Sequence, residues 1–376
     1  MKGIYIGLPI WGAKYIEQWN KYALPALLAP GNLEHINRCS PTTLWIYTNV
    51  ADAALIQAVP FYKQLCEVLE GRVKFVLIGA DGAEMIERLH PFHHHGGTCF
   101  KNCQNMCIAQ AWKDDCGYMC TAADVTWSNR TGWGVETALS LGKRAWMYAG
   151  YGADGRLIPW FEANRRSDGI IDISPLEFSK ALLDASDGAR LPNSIEMPDF
   201  GASPGNLRWV VKDRGFLIRP HHVNIGWIYP EKGPVFCNHG TDHEMAQLAL
   251  SSWDQVFCTY DTTEYLGCAI NDLGTSGPEI EGKVYPQYSR EHVALYLKVA
   301  TSEWHRHWMH QHFWAHDGSL PLGCPERAEV EAASDAEIVA IMEIYNRVTS
   351  FGGMTPELAR AEYSIKHWDY PLKSKN

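Results

Sequence analysis

One carboxylate, Asp124, ends the apolar run Gly117-Tyr-Met-Cys-Thr-Ala-Ala and is followed by Val125-Thr-Trp-Ser128. An apolar run without alternation is typical of a strand covered on both faces, and α/β sheets bind their ligands at the carboxyl ends of such strands. A carboxylate at that edge can hold a divalent metal that neutralises a diphosphate. Alternatively, Asp124 caps the turn after the strand through its side chain. The residue types alone leave both interpretations open.

A second group of polar side chains lies in Cys237-Asn-His-Gly-Thr-Asp-His-Glu244, at the start of a predicted helix. His239, Asp242 and His243 could complete the coordination of a metal first held by Asp124, or place a general base beside an acceptor hydroxyl. The alternative is that Thr241 and Asp242 cap the helix while the histidines are solvated.

The segment Gly150-Tyr-Gly-Ala-Asp-Gly155 matches the G-x-G-x-x-G pattern of dinucleotide-binding proteins. In those proteins the glycines open a helix that presents its amides to the pyrophosphate. Here Pro159 follows four residues after the last glycine, and the motif comes after the fifth predicted strand rather than the first. The pattern therefore favours a glycine-rich turn, and an NAD-dependent oxidoreductase is kept as an alternative function.

His95, Cys99, Cys103 and Cys107 recur every four residues, so they share one stripe of a helix. The spacing lacks the two close ligand pairs of a structural zinc site and favours buried thiols that pack the helix against a sheet. The histidine-rich stretch His305–His316 is interpreted as amphipathic packing. A zinc hydrolase built on these histidines is a further alternative.

Hydrophobic periodicity places these residues on an α/β framework. The predicted strands cover Gly3–Leu8, Thr43–Thr48, Val73–Ile78, the run before Asp124, and Lys143–Gly150. The predicted helices between them cover Tyr15–Leu28, a segment opened by Asn49 and Asp52, Phe61–Glu70, and Thr98–Trp112. This order predicts a mostly parallel sheet flanked by helices.

After residue 150 the sequence predicts short strands at Arg208–Val211, Gly215–Ile218, Val223–Tyr229 and Val235–Cys237, with a last strand at Gln255–Tyr260. It then predicts helices at Arg290–His316, Glu326–Val348 and Pro356–Tyr363. We therefore expect a catalytic domain over residues 1–270 and a mainly helical C-terminal extension over residues 271–376.

Composition limits the classes of function. The 376 residues are 46% hydrophobic and 20% charged, as in globular proteins, with a formal net charge of -10. A net negative charge disfavours non-specific binding to nucleic acid, although a modified base is kept as an alternative acceptor. Met1–Pro9 is too short for a signal peptide and no apolar stretch is long enough to span a membrane, so a cytoplasmic protein is expected. Trp11, Trp127 and Trp133 fall beside the predicted cleft, where aromatic faces can stack on a sugar or a base.

Several segments together resemble bacterial glycosyltransferases of the GT-A type, which bind nucleotide sugars. They are Tyr22–Asn32, Thr43–Thr48, Asn102–Trp112 leading into Ala122–Ser128, and Gly142–Ala145. The likeness covers the first 150 residues well and residues 170–270 loosely. It implies a GT-A-like fold and transfer of a sugar from a nucleoside diphosphate sugar, with UDP favoured, to an unidentified acceptor hydroxyl.

The resemblance also implies roles for particular residues. It assigns donor binding to Leu8, Pro9, Tyr15, Thr48, Lys101 and Asn105. It assigns a Mn²⁺ or Mg²⁺ ion to Asp124 with His239 or His243, and the catalytic base to Asp242, His243, Asp261 or Glu264. The family's acidic motif has two aspartates one residue apart, whereas this chain has Asp124-Val-Thr126. This departure leaves open a metal-free transferase, or a non-catalytic nucleotide- or sugar-binding protein.

Overall fold

The computed structural model describes residues 1–78, 95–153, 155–185, 206–220, 223–233, 243–270, 288–300 and 303–347. The chain forms two compact units, one from Met1–Ala185 with Val223–Gly277 and one from Ser186–His222 with Pro278–Asn376. The predicted division into domains at residue 270 stays a prediction. The second segment of the second unit begins at Pro278, close to that boundary.

The first unit is built on a sheet of mostly parallel strands in the order β11-β6-β10-β4-β1-β2-β3. These strands are β1 (Ile4–Pro9), β2 (Thr42–Thr48), β3 (Val73–Leu77), β4 (Gly117–Cys120), β6 (Ala145–Tyr148), β10 (Asn224–Ile228) and β11 (Val256–Thr259). Strand β1 pairs in parallel with β2 on one side and β4 on the other, and β10 runs antiparallel to both of its neighbours. The α/β fold class is confirmed.

Helices connect and cover these strands. They are α1 (Ala13–Gln18), α2 (Leu24–Leu27), α3 (Leu33–Cys39), α4 (Val50–Gln57), α5 (Tyr62–Val68), α6 (His95–Lys113), α7 (Thr131–Ser140), α8 (Ile158–Ala163), α9 (Pro175–Ala185) and α10 (His243–Ala249). A π-helical turn, Trp19–Ala23, joins α1 to α2. It divides the single helix predicted over Tyr15–Leu28, because Pro25 has no backbone N–H to donate to the carbonyl four residues earlier, as the regular helical pattern requires.

The two faces of β1 show why its residues form a buried strand. Ile4, Ile6 and Leu8 belong to the main hydrophobic core, whereas Gly7 faces α6. A Cβ atom at Gly7 would lie 3.2 Å from the Cys107 sulfur, so the absence of a side chain lets the helix approach the strand. The predicted packing of the cysteine stripe is confirmed: Cys99, Cys103 and Cys107 are buried.

A small sheet of β5 (Val125–Trp127), β12 (Gly267–Ile270) and β7 (Tyr151–Ala153) was not predicted. It corrects the prediction that Asp124 directly follows a strand, because β4 ends at Cys120 and Asp124 immediately precedes β5. The strand predicted at Gln255–Tyr260 is present as β11, but it is not the last one, because β12 follows it. Strands of three or four residues carry too little periodicity to be recognised from sequence.

The second unit combines helices with an antiparallel sheet. Its strands are β8 (Asn206–Val211), β9 (Gly215–Pro220) and β13 (Phe313–His316), and its helices are α11 (Arg290–Ala300), α12 (Glu303–Met309) and α13 (Pro325–Arg347). The helix predicted over Arg290–His316 is wrong at its end, because Phe313–His316 pair with β9 instead. Aromatic residues favour such pairing, which overrides local helix propensity. The strand predicted at 235–237 and the helix at 356–363 lie outside the described residues.

Within the described ranges, no helix has both the length and the hydropathy needed to cross a bilayer.

Candidate functional site

The connections of the main sheet reverse direction at β1. From β1 the chain continues to β2 and β3 on one side of that strand, and β4 then pairs on its other side. Loops that leave the carboxyl ends of such neighbours diverge and leave a crevice. A cavity of about 320 Å³ lies there, lined by Pro9, Ile10, Trp11, Tyr15, Phe100, Ala122, Ala123 and Asp124. We call it the Asp124 cleft.

The first wall of the cleft is the segment after β1. The Ile10 amide donates to the Tyr47 carbonyl over 2.9 Å, which continues the strand pairing. Gly12 then adopts φ 83° and its amide donates to the buried Asp52 carboxylate over 2.7 Å. Asn49 caps α4 and donates to the same carboxylate, which confirms that Asn49 and Asp52 open this helix. The first wall is thus fastened to α4.

The second wall is the segment after β4. The buried side-chain amide of Gln104, on α6, donates to the Thr121 carbonyl over 2.9 Å and to the Gly7 carbonyl over 3.3 Å. The Tyr118 hydroxyl donates to the Gln104 side-chain oxygen. Gln104 therefore ties the carboxyl ends of β1 and β4 to one helix, at the edge of the sheet where the cleft opens.

The Asp124 carboxylate is half-buried in this second wall. Desolvation by burial raises its pKa above the ordinary value for aspartate. In the described part of the chain, no cation and no hydrogen-bond donor of another residue pairs with it. The Asp124 side chain thus does not cap the following turn, and the turn-capping alternative is not what the structure shows. An ionised carboxylate left unpaired in a cavity is a ready acceptor for a cation.

The structure places two of the predicted donor-binding residues, Pro9 and Tyr15, in the cleft together with the predicted metal ligand Asp124. Leu8 packs in the core, and Thr48 is fully buried at the end of β2, with no described partner for its hydroxyl. Asn105 is buried on α6 and Lys101 is half-buried there. These four are not among the described lining residues, and their assignment to donor binding stays a prediction.

The predicted catalytic and second metal-binding residues are placed only in part. His239 and Asp242 lie outside the described residues, and of His243 only the backbone, at the start of α10, is described. The Asp261 carboxylate accepts from the Thr263 amide over 2.9 Å and from the Thr263 hydroxyl over 2.8 Å, so it shapes a turn. Glu264 is exposed. The catalytic assignments stay predictions.

Sequence reasoning missed two lining residues, Ile10 and Phe100. Ile10 directly follows β1, so the rule that ligands bind at the carboxyl ends of strands could have found it. Phe100 reaches the cleft from α6, and no pattern in the sequence links α6 to this edge. Of the tryptophans, Trp11 lines the cleft, Trp127 is buried in the core, and the half-exposed Trp133 stacks on Arg130, 5.2 Å from its ring centroid.

The glycine motif after β6 has a structural role. Tyr151 and Gly152 lie in β7, and only a three-residue turn and the six-residue helix α8 follow. A Cβ atom at Gly150 would lie 1.7 Å from the Asn224 side-chain nitrogen. Gly150 therefore lies against the Asn224 side chain of β10, which would have to move to admit a side chain at this position. The predicted turn is in part a strand, and its last glycine opens only the three-residue 3-10 helix Gly155–Leu157 that leads into α8.

The donor atoms at the cleft fit one mode of metal binding. Among the described residues, no three His, Cys, Asp or Glu side chains cluster as a complete site. Mg²⁺, however, is usually held by only one or two carboxylates together with substrate phosphates and water. The single Asp124 carboxylate, unpaired and facing a cavity, suits that arrangement and does not suit a site made wholly of protein ligands.

Comparisons with known proteins give weak similarities. No family model and no curated protein matches the chain. Mouse xyloside xylosyltransferase 1, in its apo form, is 12% identical over 40% of this chain and 53% of its own, with a TM-score of 0.28. S. aureus TarS is 11% identical over 41% of this chain and 22% of its own, with a TM-score of 0.27. The chain thus spans about half of the first of these proteins and about a fifth of the second.

A mannosyltransferase from Pyrobaculum calidifontis, in complex with GDP-Man and Mn²⁺, is 11% identical over 97% of this chain and 79% of its own. Its TM-score is 0.32. These structural neighbours are glycosyltransferases. At TM-scores this low, we base the function on the geometry of the Asp124 cleft instead.

Proposed function

We propose that the chain is a GT-A-like glycosyltransferase that moves a sugar from a nucleoside diphosphate sugar to an acceptor hydroxyl, with the donor bound in the Asp124 cleft. The observation that carries the proposal is the Asp124 carboxylate, which has no partner among the described residues and faces a cavity of about 320 Å³ where the sheet connections reverse. Ligand sites of open α/β sheets lie at this position. The resemblance of the sequence to glycosyltransferases identifies the ligand class and favours UDP.

The cleft offers separate surfaces for the two parts of such a donor. Trp11, Tyr15 and Phe100 supply aromatic faces, which stack on a base or on the apolar face of a sugar. Asp124 supplies the only charged side chain among the described lining residues. A carboxylate repels a diphosphate, so the two bind together only when a cation lies between them.

Asp124 is therefore the proposed ligand of a Mn²⁺ or Mg²⁺ ion, with His239 or His243 as a second ligand. When bound, the ion supplies neutralisation of the charge on the diphosphate. The raised pKa of Asp124 is consistent with this role, because burial without a partner makes the ionised carboxylate gain from a nearby cation.

The proposed reaction is displacement at the anomeric carbon. The acceptor oxygen forms a bond to that carbon, the bond to the diphosphate oxygen breaks, and the nucleoside diphosphate leaves with the bonding electrons. The acceptor proton passes to a carboxylate or imidazole base. The candidates remain Asp242, His243, Asp261 and Glu264. Of these, Asp261 is already engaged by Thr263, so its carboxylate would have to exchange those hydrogen bonds for the acceptor hydroxyl.

A second candidate function is a non-catalytic sugar- or nucleotide-binding protein. The single carboxylate at the cleft, where the family motif has two, favours it. It predicts the same ligand and no turnover. An NAD-dependent oxidoreductase has less support, because the glycine motif on which it depends lies in strand β7 and the turn after it.

The test is the thermal stability of the chain with a panel of nucleoside diphosphate sugars, with and without Mn²⁺. A ligand that binds only the folded state stabilises it by roughly 2.7 kcal/mol at a hundred times its dissociation constant. We expect at least one sugar nucleotide to stabilise the natural chain only with Mn²⁺. Asp124→Ala should lose this effect, and Glu67→Gln, at an exposed carboxylate, should keep it.

If NAD stabilises the chain and no sugar nucleotide does, the proposed function is wrong. If a sugar nucleotide does stabilise the chain, release of nucleoside diphosphate from that donor separates an enzyme from a binding protein.

A further inference from the structure

The two walls of the Asp124 cleft are joined through one residue, Ile270, at the end of β12. Its amide donates to the Asp124 carbonyl over 2.9 Å. Its own carbonyl accepts from the Gln18 side-chain nitrogen over 2.7 Å. Gln18 ends α1, the helix that carries Tyr15. A continuous chain of hydrogen bonds thus runs from the Tyr15 helix to the backbone of Asp124.

The hydrogen bond of Gln18 links the position of Tyr15 to that of Ile270. Tyr15 and Gln18 are three apart on a helix, so they lie on neighbouring parts of one face. Helix α1 has six residues, Gly12 provides no side-chain cap, and only Ile16 is buried. The helix continues without a break into the π-helical turn, where Trp19 is buried. The orientation of the turn that carries Tyr15 therefore depends on the Gln18 contact as well as on this apolar anchoring.

The chain beyond Gln18 adds to this dependence. The π-helical turn Trp19–Ala23 follows directly, with the Leu24 amide bonded to the Trp19 carbonyl. Such turns change the direction in which a helix presents its side chains. The Asn20 side-chain oxygen is buried in this turn with no described partner. Gln18 thus makes its hydrogen bond where α1 departs from regular geometry.

We propose that Gln18 is a positioning residue that, through Ile270, sets the spacing between Tyr15 and Asp124 and so the fit of the donor. The inference rests on the proposed function for its consequence in donor binding. Gln18 is uncharged and is not among the described lining residues of the cleft. It therefore acts through geometry rather than by contact with the ligand.

The test compares three variants of the full chain. Gln18→Met keeps the length of the side chain and removes the donor, whereas Gln18→Lys retains an N–H donor. Glu17→Gln is the matched control, because Glu17 lies on the same helix and its exposed carboxylate pairs, among the described residues, only with Lys21, at 2.6 Å. The measurements are amide hydrogen exchange of the ligand-free chain and the dissociation constants of UDP and GDP, each with Mn²⁺.

In Gln18→Met we expect faster exchange both in residues 12–18 and in the segment 122–124 with Ile270. We also expect binding weaker by about 3–10-fold, the loss that one hydrogen bond typically brings. Gln18→Lys should restore most of both, and Glu17→Gln should change neither.

Unchanged exchange at Asp124 and Ile270 in Gln18→Met would overturn the proposal, and so would faster exchange with unchanged dissociation constants. If neither nucleotide binds the natural chain, the proposed function fails instead. In that case the hydrogen-exchange data alone test whether Gln18 couples the two walls of the cleft.

Discussion

Two regions of the molecule withdraw a charge from solvent in opposite ways. In the first unit, the half-buried Asp124 carboxylate faces a cavity with no described cation beside it. In the second unit, Arg219 on β9 is fully buried. Its Nε and Nη2 atoms donate to the Ser334 hydroxyl over 3.0 and 2.6 Å, and Nη2 also contacts Asp335 and His312.

The pKa values reflect this contrast. Burial raises the pKa of Asp335, but the hydrogen bond and charge of Arg219 outweigh it, so the pKa lies below its ordinary value. For Asp124, burial raises the pKa, and the hydrogen bond from its own backbone amide lowers it by less, so the pKa lies above its ordinary value. A buried charge that is paired is explained by the fold alone. An unpaired carboxylate in a cavity lowers the stability of the fold and so points to a ligand.

The largest expected effect is on the paired region. Asp335→Ala leaves the buried Arg219 guanidinium without its counter-charge, and removing one partner of a buried pair costs several kcal/mol. The Asp335 side chain is 56% exposed, so we expect a smaller loss of about 2–3 kcal/mol in the free energy of unfolding. Urea denaturation followed by tryptophan fluorescence measures it.

The control is Glu343→Ala, which removes an exposed pair with Arg347 at 3.5 Å. It should cost less than about 0.5 kcal/mol. Equal effects of the two substitutions would show that the Arg219 pair is no more important to stability than a surface pair.

The next effect has the opposite sign and concerns Asp124. Asp124→Asn keeps the shape of the side chain and removes an ionised carboxylate that burial disfavours. We expect the ligand-free chain to gain about 0.5–1 kcal/mol in the free energy of unfolding at neutral pH. The same substitution should abolish stabilisation by Mn²⁺ with a sugar nucleotide. A loss of stability in the ligand-free variant would mean that Asp124 has a structural partner.

The effect of Asp124→Asn should also depend on pH. The folded-state pKa of Asp124 is raised above its ordinary value of 3.8, so the ionised carboxylate lowers the free energy of unfolding of the natural chain. This loss of stability is complete above the folded-state pKa of Asp124, and it disappears as the pH falls through that pKa toward 3.8. Urea denaturation from pH 7 to pH 4 should therefore show the advantage of the variant shrinking. A constant difference would contradict the raised pKa.

The smallest effect concerns the histidines beside Arg219. Burial, and then the charge of Arg219, lower the pKa of His310 and of His312 below 6.5. The stability that neutral histidine provides is present above about pH 6.5 and is lost as the pH falls through the lowered pKa. His312→Gln should remove part of this loss, so its stability relative to the natural chain rises between pH 7 and pH 5. The natural chain and the variant falling in parallel over that range would contradict the assignment.

Much of the first unit follows from its sequence, because its long elements carry a clear period. The strands β1, β2, β3 and β6 and the helix α6 were all predicted. The rule that ligands bind at strand ends selected Asp124, and the resemblance to glycosyltransferases selected Pro9; the structure places the two in one cleft.

The remaining features depend on contacts that no local pattern records. Strand β5 forms because Val125–Trp127 pair with β12, about 140 residues later, and β13 forms because Phe313–His316 pair with β9. Likewise, Phe100 enters the cleft only because α6 packs beside β1. The bond between Gln18 and Ile270 is equally non-local, and nothing in the types of these two residues suggests it.

The most direct test of the account is the position of Mn²⁺ in crystals grown with Mn²⁺ and UDP, located by anomalous scattering. We predict a peak beside the Asp124 carboxylate, on the order of 2.1 Å from one of its oxygens. The Asp335 side chain, whose charge is already matched by Arg219, and the neighbouring His312 should show none. Nucleotide bound without a peak at Asp124, or a peak at Asp335 instead, would contradict the claim that the unpaired carboxylate marks the functional site.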